Sequence, residues 1–125
     1  GDKRQSRINY ATANIKAQAI QYQNARLALL ATTGERYYEA LKFQTLLTLN
    51  SERQHVVSQA LKAIKQRANA GAVSQADVTR MRYALSQVEL DKAKLNSEFE
   101  RARLSLNELW SEQHGYTDLA GILLP

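Results

Sequence analysis

The chain has 125 residues, which suits a single domain, and it contains no cysteine, which excludes disulfide bonds and thiolate metal sites. Its net charge is +5, but the basic residues are spread along the whole chain, which is typical of solvated helix faces rather than of a nucleic-acid surface. The longest apolar run, residues 27–31, is far shorter than the roughly 20 residues of a membrane-spanning helix. No signal peptide is found, and the abrupt start and end lead us to expect a piece of a larger protein.

A long first helix is predicted from about residue 3 to residue 69, because this stretch has no proline and only one glycine, Gly34. At 1.5 Å per residue, such a helix would be about 100 Å long. Apolar residues recur at every seventh position, which is typical of helices that wind around partners in a left-handed supercoil. The heptad residues are Ile8, Ile15, Tyr22, Leu29, Phe43, Val57 and Ile64, and Arg36 and Asn50 are the two polar residues that interrupt them.

A second stripe on the same helix is rich in alanine. Small residues on a second face indicate contact with neighbouring helices on both sides, as in a ring of helices. Alternatively, alanine occurs there because it is the best helix former. The stripe consists of Ala19, Ala40, Leu47, Leu61 and Ala68.

A tight turn is predicted at residues 70–74. Gly71 can adopt the left-handed conformation that ends a helix. Ser74 and Asp77 have the spacing of a capping box, in which the serine side chain accepts from the backbone N–H three residues later and the carboxylate reaches back. This is the strongest local signal in the sequence.

The second helix is predicted from about residue 75 to residue 113, followed by an extended tail. A short turn makes the two helices antiparallel, so the second helix pairs with about the last 38 residues of the first, and the earlier part needs a partner from outside this pair. The predicted fold is therefore an all-α, antiparallel coiled-coil hairpin. The seam residues of the second helix are Val78, Met81, Leu85, Val88, Lys92, Leu95, Phe99, Ala102, Leu106 and Leu109.

Residues 67–78, RANAGAVSQADV, resemble the hairpin tip of TolC-type outer-membrane efflux proteins, in which an Arg-x-x-x-Gly turn precedes Asp-Val. The start GDKR resembles the first long helix of the heavy-metal branch, although Asp2 stands where that branch usually has glycine. The pair Tyr37-Tyr38 and the segment ARLSLNELW at residues 102–110 also resemble this family. The similarity covers nearly all of the chain.

The resemblance implies a homotrimer whose strands, absent from this chain, form a barrel in the outer membrane of a Gram-negative cell. Residues 1–125 would be one periplasmic hairpin region of its tunnel, and the tip would dock on a periplasmic adaptor protein that links to an inner-membrane pump. Asp77 and Arg67 become candidates for a gate or cap at the tunnel end, although Ala76 replaces the hydroxyl residue of the family pattern. The candidate docking residues are Ala70, Gly71, Ala72, Val73 and Ser74.

No catalytic site, cofactor or metal site is predicted, because the chain has no phosphate-binding loop and no nucleophile elbow. His55 and His114 are too far apart in the sequence for a metal centre. Two alternatives remain: the coiled-coil hairpin of a periplasmic adaptor, and an unrelated helical scaffold or nucleic-acid-binding protein. Adaptor hairpins have arms of similar length, whereas the arms predicted here are unequal.

Overall fold

The structure, a computed structural model, describes the backbone of residues 1–123 and the side chains of residues 1–112. Two α-helices, α1 (Asp2–Asn69) and α2 (Gln75–Leu123), make up this part of the chain, and it contains no β-strand. The predicted all-α hairpin and its turn at residues 70–74 are confirmed. No helix in the described part of the chain has an apolar stretch that could cross a membrane.

The chain divides into two compact units, residues 1–35 and residues 36–125. The first unit is the N-terminal part of α1, and every side chain from residue 1 to residue 28 is exposed. The three heptad residues Ile8, Ile15 and Tyr22 are 49%, 66% and 54% exposed, so they form an uncovered apolar stripe among the described residues. That the earlier part of α1 needs a partner from outside the helix pair stays a prediction.

The second unit is the hairpin proper. Contacts between its helices join Arg36 to Ser105 and Asn50 to Val88, so positions later in α1 meet positions earlier in α2. The helices are therefore antiparallel, as predicted. The side chains buried between them include Leu61, Val78, Val88, Ala102 and Leu109.

On α1 from residue 36 onward, all covered positions except Ser58 and Ala60 are spaced alternately by three and four residues, and we call this row the hairpin seam. Such spacing keeps one narrow face of a helix against its partner. From residue 40 onward the alanine-rich stripe lies on this same face. The prediction that it forms a second contact surface is therefore wrong there. The remaining member of the stripe, Ala19, is exposed. The seam consists of Arg36, Ala40, Phe43, Leu47, Asn50, Gln54, Val57, Leu61, Ile64 and Ala68, all of which are buried or half-buried.

The seam of α2 follows the prediction at nine of its ten positions, and Lys92 is the exception. Lys92 is exposed, and the neighbouring Asp91 is half-buried in its place. A lysine ammonium is costly to remove from water, whereas the Asp91 carboxylate reaches Arg53 on α1 at 3.1 Å. At this point Asp91 replaces the predicted Lys92 in the seam of α2, and the ion pair between Asp91 and Arg53 lies at the edge of the seam.

The predicted end of the second helix is wrong. The α2 backbone continues to Leu123, where an extended tail from residue 116 was expected. Gly115 lies within α2, because an isolated glycine weakens a helix by only about 1 kcal/mol relative to alanine. The chain has no proline before Pro125, so nothing forces the helix to end sooner.

Candidate functional site

The C-terminus of α1 closes with a Schellman motif, which builds one side of the hairpin tip. The Gly71 N–H donates to the Ala68 carbonyl at 3.0 Å, and the Ala72 N–H donates to the Arg67 carbonyl at 2.9 Å. This pattern requires a left-handed residue after the helix end, and Gly71 has a φ of 75°. The chain therefore reverses at Gly71, as its sequence predicted.

The N-terminus of α2 brings Ser74 and Asp77 together, but not in the predicted pattern. The Ser74 hydroxyl donates to the Asp77 carboxylate at 3.3 Å, and the Asp77 N–H donates to the Ser74 backbone carbonyl at 3.2 Å. The usual capping box uses a glutamate or glutamine, and aspartate is one methylene shorter. The short side chain thus meets the hydroxyl of Ser74 instead of reaching its backbone N–H.

The charged residues of the tip lie on the two sides of the turn. Asp77 forms an ion pair with Arg80 one turn later, at 3.2 Å, and its charge also suits the positive end of the α2 dipole. Arg67 lies exposed in the last turn of α1, where a cation suits the negative end of that dipole. Among the described residues, the Arg67 side chain is in no ion pair, so the structure does not bring the two candidate gate residues together.

The tip presents small side chains and accessible backbone. Ala70, Gly71, Ala72 and Ser74 are exposed, and Val73 is half-buried. A β-carbon placed at Gly71 would meet no atom within 4 Å, which indicates open space beside the turn. Another helical turn could therefore approach this backbone closely, and the assignment of residues 70–74 to adaptor docking stays a prediction.

The sequence model for the outer membrane efflux protein family matches residues 1–112, which includes the first helix, the tip and the described side chains of the second. The chain belongs to this family. The resemblance seen in the tip sequence is thereby confirmed. The cobalt-zinc-cadmium resistance protein CzcC of Cupriavidus metallidurans is 26% identical to the chain over 110 residues. The matched region is 88% of this chain but 26% of that protein, so the chain spans about a quarter of its relative's length. No solved structure matches the chain.

Other side chains of this outer membrane efflux family member lie apart from the tip. His55 is exposed, and His114 lies outside the residues whose side chains are described. No group of three or more potential metal ligands occurs among the described residues. The aromatic residues Tyr37, Tyr38 and Tyr83 are exposed and so do not pack in the hairpin seam.

Two residues that the sequence treated as interruptions make contacts between the helices. Arg36 donates from Nη1 to the Ser105 carbonyl at 2.8 Å, and Asn50 donates from Nδ2 to the Val88 carbonyl at 3.2 Å. Both occupy heptad positions, and a polar residue on an apolar heptad is itself the signal that could have identified them. They donate hydrogen bonds across the seam, a role that the sequence analysis did not predict for them.

Proposed function

We propose that the chain is a structural part of the periplasmic tunnel of an outer-membrane efflux channel. The observation that carries this proposal is the family match over residues 1–112, which covers a hairpin whose turn sits at Gly71. The family match favours a conduit over an adaptor hairpin or a nucleic-acid-binding scaffold. On this proposal residues 1–125 are one periplasmic hairpin region of a longer homotrimeric protein, which is held in the outer membrane by other parts.

The exported substrates on this proposal are metal cations or small toxic compounds. The name of the relative, a cobalt-zinc-cadmium resistance protein, supports the metal cations. The chain itself supplies the wall of a conduit and performs no chemistry on what passes. A bacterium that lacks the full-length protein should therefore become sensitive to cobalt, zinc and cadmium or to organic toxins. If its growth with all of these is unchanged, the efflux proposal is wrong.

The tip, residues 70–74, is proposed to dock on a periplasmic adaptor that connects the channel to an inner-membrane pump. Its support is the exposure of small side chains and backbone around Gly71. Gly71→Val in the full-length protein should reduce cross-linking to the adaptor and reduce export, because a β-branched residue resists a φ of 75°. Trimer formation, followed on non-denaturing gels, should persist.

The matched control for this test is Gly34→Val. Gly34 is exposed within α1, and a β-carbon there also meets no atom within 4 Å, but its φ is not positive. This variant should keep adaptor cross-linking and export. Full export by Gly71→Val, or equal losses in both variants, would contradict docking through the tip.

Asp77 is proposed to contribute to the gate at the tunnel end, with Arg67 on the opposite side of the turn. In a homotrimer, three copies of Asp77 would create a negative ring that attracts cations. Asp77→Asn should then lower export of cations more than export of neutral compounds. Equal reductions for both kinds of compound would show that Asp77 acts only as a helix cap.

A further inference from the structure

The middle of the hairpin seam contains a buried polar side chain. Asn50 is 6% exposed, yet it occupies a heptad position that an apolar residue could fill. Its amide donates to the carbonyl of Val88, the most deeply buried residue of α2, and a helix carbonyl can accept this bond in addition to its own helical one. Arg36 makes the same kind of bond to Ser105 farther along the hairpin.

A second row of residues on α1 has the same alternating spacing of three and four, and we call it the outer stripe. It comprises residues 46, 49, 53, 56, 60 and 63. Between residues 46 and 57 this stripe contributes three apolar side chains and one arginine, whereas the seam contributes two apolar and two polar side chains. The outer-stripe residues are Leu46, Leu49, Arg53 and Val56, and the seam residues are Leu47, Asn50, Gln54 and Val57.

Between residues 46 and 57, the more apolar of the two rows is thus the more exposed one. Leu49 is 54% exposed and Val56 is 65% exposed. An open groove of about 420 Å³ lies between Leu46 and Leu49 on α1 and Leu95 on α2, with Asn50 in its lining. Outside this stretch the seam contributes the larger apolar side chains, Phe43, Leu61 and Ile64. Between residues 46 and 57, however, burial of apolar surface does not by itself explain why the seam faces α2.

The five-residue turn limits how far α1 and α2 can be displaced along their axes, and the other way to change their contact is rotation of α1 about its own axis. A rotation that brought the outer stripe against α2 would separate the Asn50 amide from the Val88 carbonyl. A buried amide without a partner is costly, so the hydrogen bond opposes that rotation. A single buried asparagine is known to specify the pairing of coiled coils in this way.

We infer that Asn50, supported by Arg36, holds residues 46–57 of α1 in the orientation that places the hairpin seam against α2. Asn50 is a positioning residue, and its amide holds the hairpin seam inward and keeps Leu49 and Val56 of the outer stripe exposed. This inference rests on the contacts of the hairpin and is independent of the proposed transport function.

The chain has no cysteine, so a single introduced thiol reports the orientation of α1. Val56→Cys and Val57→Cys make a matched pair, because residue 56 is exposed on the outer stripe and residue 57 is half-buried on the seam. In the otherwise unchanged chain, a water-soluble maleimide should label position 56 faster than position 57. Adding Asn50→Ala should lower the ratio of the two rates about threefold to tenfold, the factor that corresponds to one net hydrogen bond.

Asn96→Ala, which removes an exposed amide from α2, is the control and should leave the ratio unchanged. Leu49→Gln added to Asn50→Ala should restore the ratio, because it makes the competing stripe less apolar. Circular dichroism identifies any variant that has lost its helices, and Asn50→Ser, whose short hydroxyl donates to a carbonyl one turn back on α1 instead of to Val88, then takes the place of Asn50→Ala. An unchanged ratio in the folded Asn50 variant, or a lowered ratio that Leu49→Gln does not restore, would overturn the inference.

Discussion

Substitution by alanine should change the free energy of unfolding in opposite directions at Gly34, within α1, and at Gly71, in the tip. At Gly71 the φ of 75° places an added side chain in the left-handed region, which costs an L-residue about 1–2 kcal/mol. A β-carbon there meets no atom within 4 Å, so no steric clash adds to this cost. Alanine also lowers the conformational entropy of the unfolded chain, which stabilises the folded state by about 0.4–1 kcal/mol and offsets part of this cost. The net expectation for Gly71→Ala is therefore a loss of about 1 kcal/mol in the free energy of unfolding.

Gly34→Ala is the matched change in a regular helix. Gly34 has the same open surroundings but ordinary helical backbone, so alanine should stabilise the chain by up to about 1 kcal/mol. Urea titrations followed by circular dichroism, at one low protein concentration, should show midpoints that move in opposite directions by roughly 0.5 M. Gly71→Asn should lose less than Gly71→Ala, because asparagine tolerates the left-handed region. A midpoint for Gly71→Ala at or above that of the unchanged chain would refute the reasoning.

Three further predictions concern the helix contacts. Val88→Ala should lower the free energy of unfolding by about 2 kcal/mol because Val88 is fully buried, whereas exposed Val56→Ala should change it by less than about 0.5 kcal/mol; equal urea midpoints would contradict this. A double-mutant cycle on Arg53 and Asp91, which form a pair at 3.1 Å with side chains 56% and 42% exposed, should give a coupling energy below about 1 kcal/mol that shrinks in 1 M salt. Sedimentation velocity should show self-association that increases with concentration and is reduced when the three exposed heptad residues of the first unit become glutamine; a monomer at every concentration would show that this stripe is inert.

Much of the fold could be predicted because its signals are local. The absence of proline between residues 3 and 69 allows one long helix, and Gly71 is suited to the positive φ that reverses the chain. The family could also be predicted, since the tip sequence combines this turn with Asp77 and Val78. The position of the helix end could not, because Gly115 lowers helix stability too little to stop α2.

The location of the candidate site could be predicted from the sequence, but the hydrogen bonds and ion pairs within it could not. The sequence brought Ser74 and Asp77 to the same turn, yet which atoms donate depends on the reach of the shorter carboxylate. Arg67 and Asp77 are close in sequence, but the turn and the pairing of Asp77 with Arg80 leave them unpaired with each other. These outcomes depend on distances of a few ångströms that residue spacing does not specify.

The amino-acid sequence by itself determined the two helices, the glycine turn and the heptad spacing, because each depends on backbone preferences within a few residues of itself. Only the tertiary structure decided what the polar residues of that heptad contact, and it placed the Asn50 amide against the Val88 carbonyl. The physical reason is that the acceptor for Asn50 is a backbone carbonyl 38 residues away, on the other helix. The heptad spacing of one helix predicts which face is buried, but it does not predict which atom of the other helix accepts a hydrogen bond from that face.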